Sequence, residues 1–299
     1  MTRTLRLRDR AFELVDGRPL VMGIVNANPD SFSDATRLAD LDAQVAKALE
    51  LVRDGADLID VGGESGVTYT DVSPEEVERD RVLPLVEALV AEGVVVSVDT
   101  WKAGVAEAAL AAGAHLLNDV SGLRDTALAD LAAQSGAGLV VMHTRADPKR
   151  KAFPDYGGAV VDDVRTFLAE RCTVALEHGV ARDRMVVDPG PDFAKSPAES
   201  VEVLKAWAHW VPDGLPWLAA VSRKYFLGAI TGRAPHERLA STLGAVAWAA
   251  DSGAAMLRVH DVREAVELLR VRDVLDGRAD VPGFDTEDER LKWIRADGS

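Results

Sequence analysis

Eight short apolar segments recur along the chain, and each ends at, or within two residues of, a polar or charged side chain. They span residues 20–26, 57–63, 94–100, 115–121, 138–144, 185–190, 216–222 and 255–261. Their nearly continuous hydrophobic character is typical of strands that are buried on both faces, as in a parallel sheet covered by helices. The pattern therefore predicts eight buried parallel strands.

Helical patterns separate these strands. The predicted helices occupy residues 39–54, 74–92, 102–112, 126–135, 158–179, 197–210, 236–252 and 262–275. Ser73-Pro74 and Ser196-Pro197 are typical N-terminal signals of helices, and Asp261 precedes the last one. Glycines mark the C-terminal ends of six helical patterns, at Gly55, Gly93, Gly113, Gly136, Gly179 and Gly253.

Strict alternation of strands and helices indicates the α/β class, and eight such units favour closure into a (β/α)8 TIM barrel of about 250 residues. An open doubly wound sheet is the alternative, but no G-x-G-x-x-G motif follows the first strand. We predict a single domain over residues 1–299. It comprises an N-terminal β-hairpin (1–19), the barrel (20–275) and a short polar C-terminal tail (276–299). The hairpin, centred on Asp16-Gly17, would close the bottom of the barrel.

Composition narrows the class of function. A net charge of −15 argues against nonspecific binding to nucleic acid or to an anionic membrane. The N-terminus is too charged for a secretory signal and no apolar run is long enough to span a membrane, so we expect a cytoplasmic enzyme. The single cysteine, Cys172, rules out an intrachain disulfide and a thiolate metal cluster. Its helical context favours a packing role over a nucleophilic one.

The polar strand ends locate the expected active site, because the C-terminal ends of barrel strands and the loops after them carry the chemistry of this fold. These residues are Asn26, Glu64, Asp99, Asn118, His143, Asp188, Lys224 and His260. An acidic protein that binds an anionic substrate must concentrate positive charge locally. Basic residues at these ends are therefore more informative than basic residues elsewhere.

The motifs at the eight ends are highly specific when taken together. They are MGIVNANPDSFSD at 22–34, IDVGGES at 59–65, SVDT at 97–100, NDVSG at 118–122, MH at 142–143, DPG at 188–190, SRK at 222–224 and RVHD at 258–261. This set resembles the dihydropteroate synthase family over roughly residues 20–275. That family joins 6-hydroxymethyl-7,8-dihydropterin pyrophosphate to p-aminobenzoate in folate biosynthesis and releases pyrophosphate.

A pterin pocket is also supported by residue chemistry. A carboxylate accepts two adjacent N–H groups of the pterin edge, an amide suits a mixed edge and a lysine donates to the ring carbonyl. The resemblance implies that Asp188 binds the pyrimidine N–H groups and Lys224 the carbonyl side. It also implies that Asn118 and Asp99 bind the remaining edge and that Met142 lines the pocket. The alternative is a structural ion network in which Asp99 and Asp188 pair with Lys224.

The resemblance places the diphosphate on Asn26, Arg258 and His260, with the cofactor Mg2+ near Asn26. Arg258 and His260 are two residues apart, so they lie on the same face of a strand. With the metal they would stabilise charge on the departing pyrophosphate. The structural alternatives are a turn role for Asn26, ahead of Pro29, and a core or capping role for His260.

The reaction of this family breaks the C–O bond early, and the amine attacks a cationic pterin methylene. It needs no enzyme nucleophile, which agrees with the lack of a convincing Ser-His-Asp or Cys-His arrangement. The first loop of the family closes over the site, and its matching residues, Phe32 and Asp34, would stabilise the cation. The implied catalytic residues are Lys224, Arg258, His260, Phe32 and Asp34.

The loop after the second strand departs from the family pattern G-G-E-S-T-R-P-G. Gly66 and Val67 replace a threonine and an arginine that contact substrate and pyrophosphate, and Thr68 replaces a proline. The fifth loop is unusually basic, with Arg145, Lys149, Arg150 and Lys151. Either one of these cations takes over from the lost arginine or the loop is a solvated charged surface.

The second-substrate pocket is expected to contain Phe193, Ser222 and Asp192. Asp192 stands where a glycine normally lies in the family. A carboxylate there would repel the carboxylate of p-aminobenzoate or attract a cationic nucleophile instead. The sequence therefore predicts p-aminobenzoate or another amine as the second substrate.

Three functions compete. The first is a dihydropteroate synthase-like transferase that acts on small molecules as a homodimer. The second is a pterin-binding paralogue with little synthase activity. The third is a folate-dependent methyltransferase on the same barrel, which normally needs a corrinoid partner, and the chain carries no D-x-H-x-x-G signature for one. A purely structural role does not explain eight polar strand ends.

Overall fold

The computed structural model describes residues 3–27, 41–64, 71–150, 152–212 and 214–283. Strands β1 (Arg3–Leu7) and β2 (Arg10–Leu14) pair as an antiparallel hairpin. Eight further strands form one sheet: β3 (Leu20–Asn26), β4 (Leu58–Gly62), β5 (Val96–Asp99), β6 (Leu116–Asp119), β7 (Gly138–Met142), β8 (Met185–Asp188), β9 (Leu218–Ala219) and β10 (Met256–Val259). Each of the eight lies within an apolar segment that the sequence predicts as a strand.

The eight strands close almost completely into a barrel. They follow the order β8-β7-β6-β5-β4-β3-β10-β9, and every neighbouring pair is parallel. The two edges meet at one parallel bridge between Val187 and Trp217. There the backbone N–H of Val187 donates to the carbonyl of Pro216 at 3.0 Å. The predicted (β/α)8 TIM fold is confirmed.

Helices follow the strands on the outside of the barrel. They are α1 (Leu41–Arg53), α2 (Glu75–Ala91), α3 (Ala103–Ala111), α4 (Ala127–Ser135), α5 (Val160–Glu177), α6 (Pro197–Lys205), α7 (Trp207–Trp210), α8 (Tyr225–Thr231), α9 (Leu239–Asp251) and α10 (Val262–Leu275). None of the described helices combines the length and apolar character needed to cross a membrane.

Two features of the helices differ from the predictions. The segment predicted as one helix over 197–210 is divided, because Ala206 leaves helical geometry at φ −93° and ψ 21°. Helix α8 is not predicted at all, because its seven residues are too few to establish a helical period.

Alternate residues of the strands point into the barrel, and at its N-terminal end they form an apolar layer. The layer contains Met22, Leu58, Leu116, Val140, Val186, Leu218 and Met256, together with Val95 just before β5. Leu5, Leu7 and Leu14 of the hairpin join the same cluster. The hairpin therefore closes the bottom of the barrel, as predicted.

The hairpin turn was wrongly predicted at Asp16-Gly17. The turn lies at Arg8-Asp9, where Arg8 has a φ of +60°. Asp16-Gly17 instead forms a second tight turn, closed by the bridge between Val15 and Arg18. The register that buries the hairpin leucines against the barrel decides between the two turn dipeptides.

The opposite faces of the strands pack against the helices in a larger core. Cys172 of α5 is buried within it. Burial raises the pKa of this thiol to about 12, so it remains protonated near neutral pH. The structure therefore supports the predicted packing role for Cys172.

Only one of the predicted N-terminal signals acts through its side chain. Ser196 and Glu199 form a reciprocal capping box at α6, with distances of 3.3 and 2.8 Å. At α2 the N-cap is Pro74 without a side-chain cap. At α10 the carboxylate of Asp261 makes no cap hydrogen bond and pairs with Arg223 instead.

We expect Ser196→Ala to lower the free energy of unfolding by about 1 kcal/mol, because it removes the acceptor for an N-terminal amide of α6. Ser73→Ala is a matched control, since Ser73 also precedes a proline but α2 lacks a side-chain cap. Urea denaturation of the two variants and the parent chain measures the difference. Equal losses in the two variants would contradict the assignment of the cap.

Candidate active site

The interior of the barrel changes from apolar to polar towards the C-terminal strand ends. Two residues beyond the apolar layer, on the same faces of their strands, lie polar side chains: Asp60, Ser97, Asn118, Asp188 and Arg258. Polar groups from distant parts of the chain thus meet inside the barrel, where sequence reasoning located the active site.

Arg258 occupies the centre of this polar layer and pairs with two carboxylates. Its Nε donates to Asp60 Oδ2 at 2.6 Å and its Nη2 donates to Asp99 Oδ2 at 2.9 Å. Ser97 Oγ and Asn118 Nδ2 also donate to Asp60, at 2.6 and 3.1 Å. These donors stabilise a carboxylate that is fully buried.

An ion network therefore exists, although with a different centre from the predicted alternative. The observed partner of Asp99 is Arg258. Burial raises the pKa of Asp99 to about 7; Arg258 opposes this rise and Asp60 adds to it. Asp188 accepts the backbone N–H of Gly190 at 2.7 Å, and burial raises its pKa as well.

Lys224 and Phe193 face each other from the segments that follow β9 and β8. The Nζ of Lys224 lies 4.2 Å from the centre of the Phe193 ring. An ammonium over an aromatic face is electrostatically favourable. Burial lowers the pKa of Lys224, whereas Asp192 and Asp188 oppose this change. The predicted donor to the pterin carbonyl thus adjoins a predicted residue of the amine pocket.

His260 is neutral and is oriented by Ser222. Ser222 Oγ accepts the backbone N–H of His260 at 3.2 Å and lies 2.9 Å from its Nδ1. With the hydroxyl as the donor to Nδ1, the proton of the neutral ring lies on Nε2. Burial lowers the pKa of His260 to about 3, and nearby Arg223 and Arg258 add to this shift. His260 can donate a hydrogen bond to an anion but carries no charge.

Asp192 has a structural role that the sequence did not indicate. Its carboxylate accepts the backbone N–H groups of Tyr225 and Phe226, at the first turn of α8. Its backbone N–H donates to Ser200 Oγ at 2.9 Å. These amides fix the position of the carboxylate, which keeps its charge and acts electrostatically on Lys224. The expected electrostatic effect of Asp192 on substrate choice therefore stays a prediction.

Several predicted residues lie outside the described part of the chain. These are Phe32 and Asp34 of the first loop, Gly66, Val67 and Thr68 of the second-strand loop, and Lys151. Met142 is described; it is buried at the end of β7, beside Gly190.

Glu64, at the start of the loop after the second barrel strand, belongs to a buried ion cluster. Lys102 Nζ contacts Glu64 Oε2 at 2.8 Å and also binds Glu78. From the fifth loop, Lys149 Nζ lies 3.7 Å from Glu64 Oε1, whereas Arg145 pairs with Asp163. Among the fifth-loop cations that the structure describes, Lys149 therefore lies against the start of the second-strand loop.

The protein groups that could bind a metal ion at this site suit an ion that binds together with the substrate. Among the residues that the structure describes, no group of three His, Cys, Asp or Glu side chains could hold a metal. Asn26 ends β3 and supplies one amide oxygen. Because Mg2+ is commonly held by one or two protein oxygens together with substrate phosphates and water, this set fits a substrate-borne ion.

Asp60 and Lys195 are buried charged residues that the sequence did not single out and that bind groups at the strand ends. Asp60 interrupts the apolar strand Leu58–Gly62, which is buried along its whole length. A carboxylate in such a strand requires a hydrogen-bonding or charged partner. That interruption was a usable signal. Lys195 carried no comparable signal, because a lysine shortly before a helix is ordinarily solvated.

Comparison with known proteins gives a consistent picture. The family model for pterin binding enzymes matches residues 22–260. A dihydropteroate synthase from Bacillus subtilis is 36% identical over 260 residues, which cover 86% of this chain and 89% of the relative. A solved structure of Xanthomonas albilineans dihydropteroate synthase with 4-aminobenzoic acid has a TM-score of 0.85 and 40% identity, and the match covers 94% of this chain and all of that one.

A longer relative is also similar. A probable bifunctional folylpolyglutamate synthase/dihydropteroate synthase from Haloferax volcanii is 43% identical over 254 residues, or 84% of this chain. The chain spans 30% of the length of that relative. The similarity therefore concerns one part of the bifunctional protein.

Proposed function

The chain belongs to the pterin-binding enzyme family, among the dihydropteroate synthases, and we propose that it joins a dihydropterin pyrophosphate to p-aminobenzoate with release of pyrophosphate. One observation carries this proposal: buried carboxylate and amide groups converge around Arg258 at the C-terminal ends of the strands, within electrostatic reach of Lys224. Such a convergent polar set within an apolar barrel is the kind of site that orients a planar heterocycle.

Pterin recognition is proposed to depend on Asp188, Asn118 and Lys224. Asp188 is 3% exposed and Asn118 is equally buried, so their hydrogen bonds to a ligand would form away from bulk water. The carboxylate of Asp188 would accept two parallel N–H groups of the pterin edge. Asn118 is held by Asp60, which fixes the orientation of its amide. Asp99 would contribute from beside Arg258.

Release of the diphosphate is proposed to depend on hydrogen-bond donors that keep their protons throughout the reaction. His260 would present its Nε2–H to a phosphate oxygen, because Nδ1 is engaged by Ser222. Arg258 would add positive charge, although it is shared with two carboxylates. A bound Mg2+ would neutralise charge on the departing pyrophosphate, and Asn26 would be its contact on the protein.

The amine is proposed to bind on the side of Phe193 and Ser222. The ring of Phe193 offers an apolar face for an aromatic amine, close to Lys224. An aromatic amine there would reach the pterin methylene after the C–O bond has broken. No protein nucleophile takes part in this scheme. The first-loop residues Phe32 and Asp34 are proposed to stabilise the cation.

The proposal predicts turnover in a direct assay of the purified full-length chain. With dihydropterin pyrophosphate, p-aminobenzoate and Mg2+, we expect one pyrophosphate for each dihydropteroate formed. We expect EDTA to lower the rate and added Mg2+ to restore it, because the diphosphate would lose its counter-ion. Pyrophosphate coupling and chromatography of the pteroate measure the two products.

Other outcomes of this assay would identify the competing functions. Tight pterin binding without pyrophosphate release, in the presence of Mg2+, would indicate a pterin-binding paralogue. Methyl transfer from methyltetrahydrofolate would indicate the methyltransferase. Turnover with an amine other than p-aminobenzoate would retain the transferase and change the second substrate.

We also propose, from the resemblance alone, that the enzyme is a homodimer and that it acts in the cytoplasm. Sedimentation of the purified chain tests the first proposal and localisation of a tagged chain in its host tests the second. A monomer at micromolar concentration would contradict the dimer.

A further inference from the structure

A buried lysine that the proposed reaction does not use lies behind the amine side of the site. This residue, Lys195, is only 1% exposed to solvent. Its Nζ lies 2.7 Å from His143 Nδ1, 3.0 Å from the carbonyl oxygen of Gly190 and 3.2 Å from that of Phe193. Lys195 thus binds the first residue and the middle of the segment 190–195, which we call the 190–195 loop.

Four side chains connect this loop to the protein surface. His143 Nε2 lies 2.9 Å from Asp163 Oδ2, and Arg145 donates to both oxygens of Asp163 at 2.9 and 2.7 Å. An ionised carboxylate can only accept, so His143 Nε2 donates to Asp163 and Nδ1 of the neutral ring accepts from Lys195. The ring proton therefore lies on Nε2 and is donated to Asp163. Every hydrogen bond in the chain thus has a defined direction.

Charge and burial agree with this assignment. Burial lowers the pKa of His143 to about 3, and the charge of Lys195 adds to the shift. His143 is therefore neutral and able to accept one hydrogen bond while donating another. Burial lowers the pKa of Lys195 to about 7, and Asp188 and Asp163 oppose this change.

The backbone that Lys195 holds is conformationally unfavourable. Gly190, Asp192 and Ala194 have φ values of +62°, +66° and +53°. The left-handed region is uncommon for residues with a Cβ, and such conformations persist only where surrounding contacts enforce them. Tyr156 supplies one such contact, since its hydroxyl donates to the carbonyl of Ala194 at 2.9 Å. Lys195 supplies two others.

The same loop carries groups proposed to act in the site. It places the ring of Phe193 opposite Lys224, and its Gly190 N–H is bonded to Asp188. Asp188 is anchored in β8 as well, whereas Phe193 lies in the middle of the loop. A change in the path of the loop would therefore displace Phe193 more than Asp188.

We propose that the hydrogen-bonded chain Arg145–Asp163–His143–Lys195 positions the 190–195 loop and thereby sets the affinity of the enzyme for its amine substrate. Lys195 is a positioning residue, because it contacts backbone carbonyls and His143. The inference rests on the proposed function for its kinetic consequence, but the positioning of the loop does not depend on that function.

Asp163→Ala tests the chain at its partly exposed end, and Asp130→Ala is a matched control. Asp163 and His143 lie near the start of α5, whereas His178, at the C-terminal end of α5, pairs with Asp130 at 2.8 Å. Both variants remove a carboxylate from a histidine, but only Asp163 is connected to the loop. We expect Asp163→Ala to raise KM for p-aminobenzoate about tenfold, with little change in KM for the pterin pyrophosphate.

Lys195→Met is expected to have a larger effect in the same direction, provided that it folds. Hydrogen exchange of the peptide covering 189–196 gives a readout that is independent of activity. We expect faster exchange in Asp163→Ala and in Lys195→Met, and no change in Asp130→Ala.

The outcomes separate the two proposals. Equal KM values for the amine in Asp163→Ala and Asp130→Ala, or unchanged exchange of 189–196 in Asp163→Ala, would overturn the positioning role. Faster exchange in Asp163→Ala, together with no pyrophosphate release by the parent chain, would retain the positioning of the loop and reject the synthase function.

Discussion

Asp188→Asn is expected to abolish measurable pterin binding, with a loss of affinity of about 100-fold or more. Asp188 is a buried carboxylate whose Oδ1 accepts the N–H of Gly190. An asparagine would keep its oxygen on that N–H and turn its NH2 group towards the ligand. The N–H donors of the pterin would then face another donor in place of an acceptor. Calorimetric titration with dihydropterin pyrophosphate measures the loss.

Asp119→Asn is the matched control for this prediction. Asp119 is a fully buried carboxylate at the end of barrel strand β6, which β7 separates from the β8 strand of Asp188. It also accepts backbone amides, from Ser121 and Leu123 at 2.7 and 2.6 Å. Its oxygens are used by its own loop, so we expect pterin affinity to be retained. Wild-type affinity in folded Asp188→Asn would show that the pterin pocket is placed incorrectly.

The stability of the Asp188→Asn variant is expected to be equal to that of the parent chain or higher. Burial raises the pKa of Asp188, so the ionised carboxylate is unfavourable in the folded state near neutral pH. The amide removes that cost. A loss of binding accompanied by unfolding would therefore need another cause.

The second large effect is expected from Arg258→Met, which should destabilise the fold by about 3–5 kcal/mol at pH 8. Asp60 and Asp99 would be left facing each other in the barrel without the guanidinium that they share. The cost arises from uncompensated buried charge and only in part from the lost hydrogen bonds. Chemical denaturation of both chains measures the difference.

The pH dependence of this loss provides an internal check. Burial already raises the pKa of Asp99 to about 7, above its unfolded value of 3.8. A carboxyl group with a raised folded pKa destabilises the fold above that pKa, and the penalty disappears as pH falls towards the unfolded value. Removal of Arg258 raises the folded pKa further. The stability deficit of Arg258→Met should therefore shrink between pH 8 and pH 5.

Asp60→Asn combined with Arg258→Met should recover part of the lost stability, because it removes one of the two carboxylates. Arg258→Lys should fall between the parent and the methionine variant, since an ammonium keeps the charge but loses the planar arrangement of donors. A double variant no more stable than Arg258→Met would contradict the account of buried charge.

The two predictions concern residues that differ in how readily they are recognised from the sequence as functional. Asp188 stands at the end of an apolar strand, a position that marks it as a candidate site residue, and its proposed role in pterin binding comes from the family resemblance. Asp60 lies inside an apolar strand, and its pairing with Arg258 joins residues that are 198 positions apart. The two-residue period of a strand predicts on which face of the sheet a residue lies. It does not predict which residue of a distant strand lies opposite.

The same distinction applies to the loops. The Ser-Pro signal at α6 and the packing role of Cys172 depend on local chemistry, and both agree with the structure. The hairpin turn, the division of the helix after α6 and the role of Asp192 depend on contacts with other elements. Asp192 is the clearest case, because its carboxylate binds amides of α8, which is remote in sequence.

By itself, the sequence determined the barrel, the end of the barrel that bears the site and most of the polar residues at that end. These follow from the apolar period, from buried parallel strands and from side-chain chemistry, all of which are local properties of the chain. Only the tertiary structure decided that Arg258 joins Asp60 to Asp99, that His260 is neutral and that Lys195 holds the 190–195 loop. These depend on closure of the barrel, which brings distant side chains within hydrogen-bonding distance and excludes the water that would otherwise solvate them.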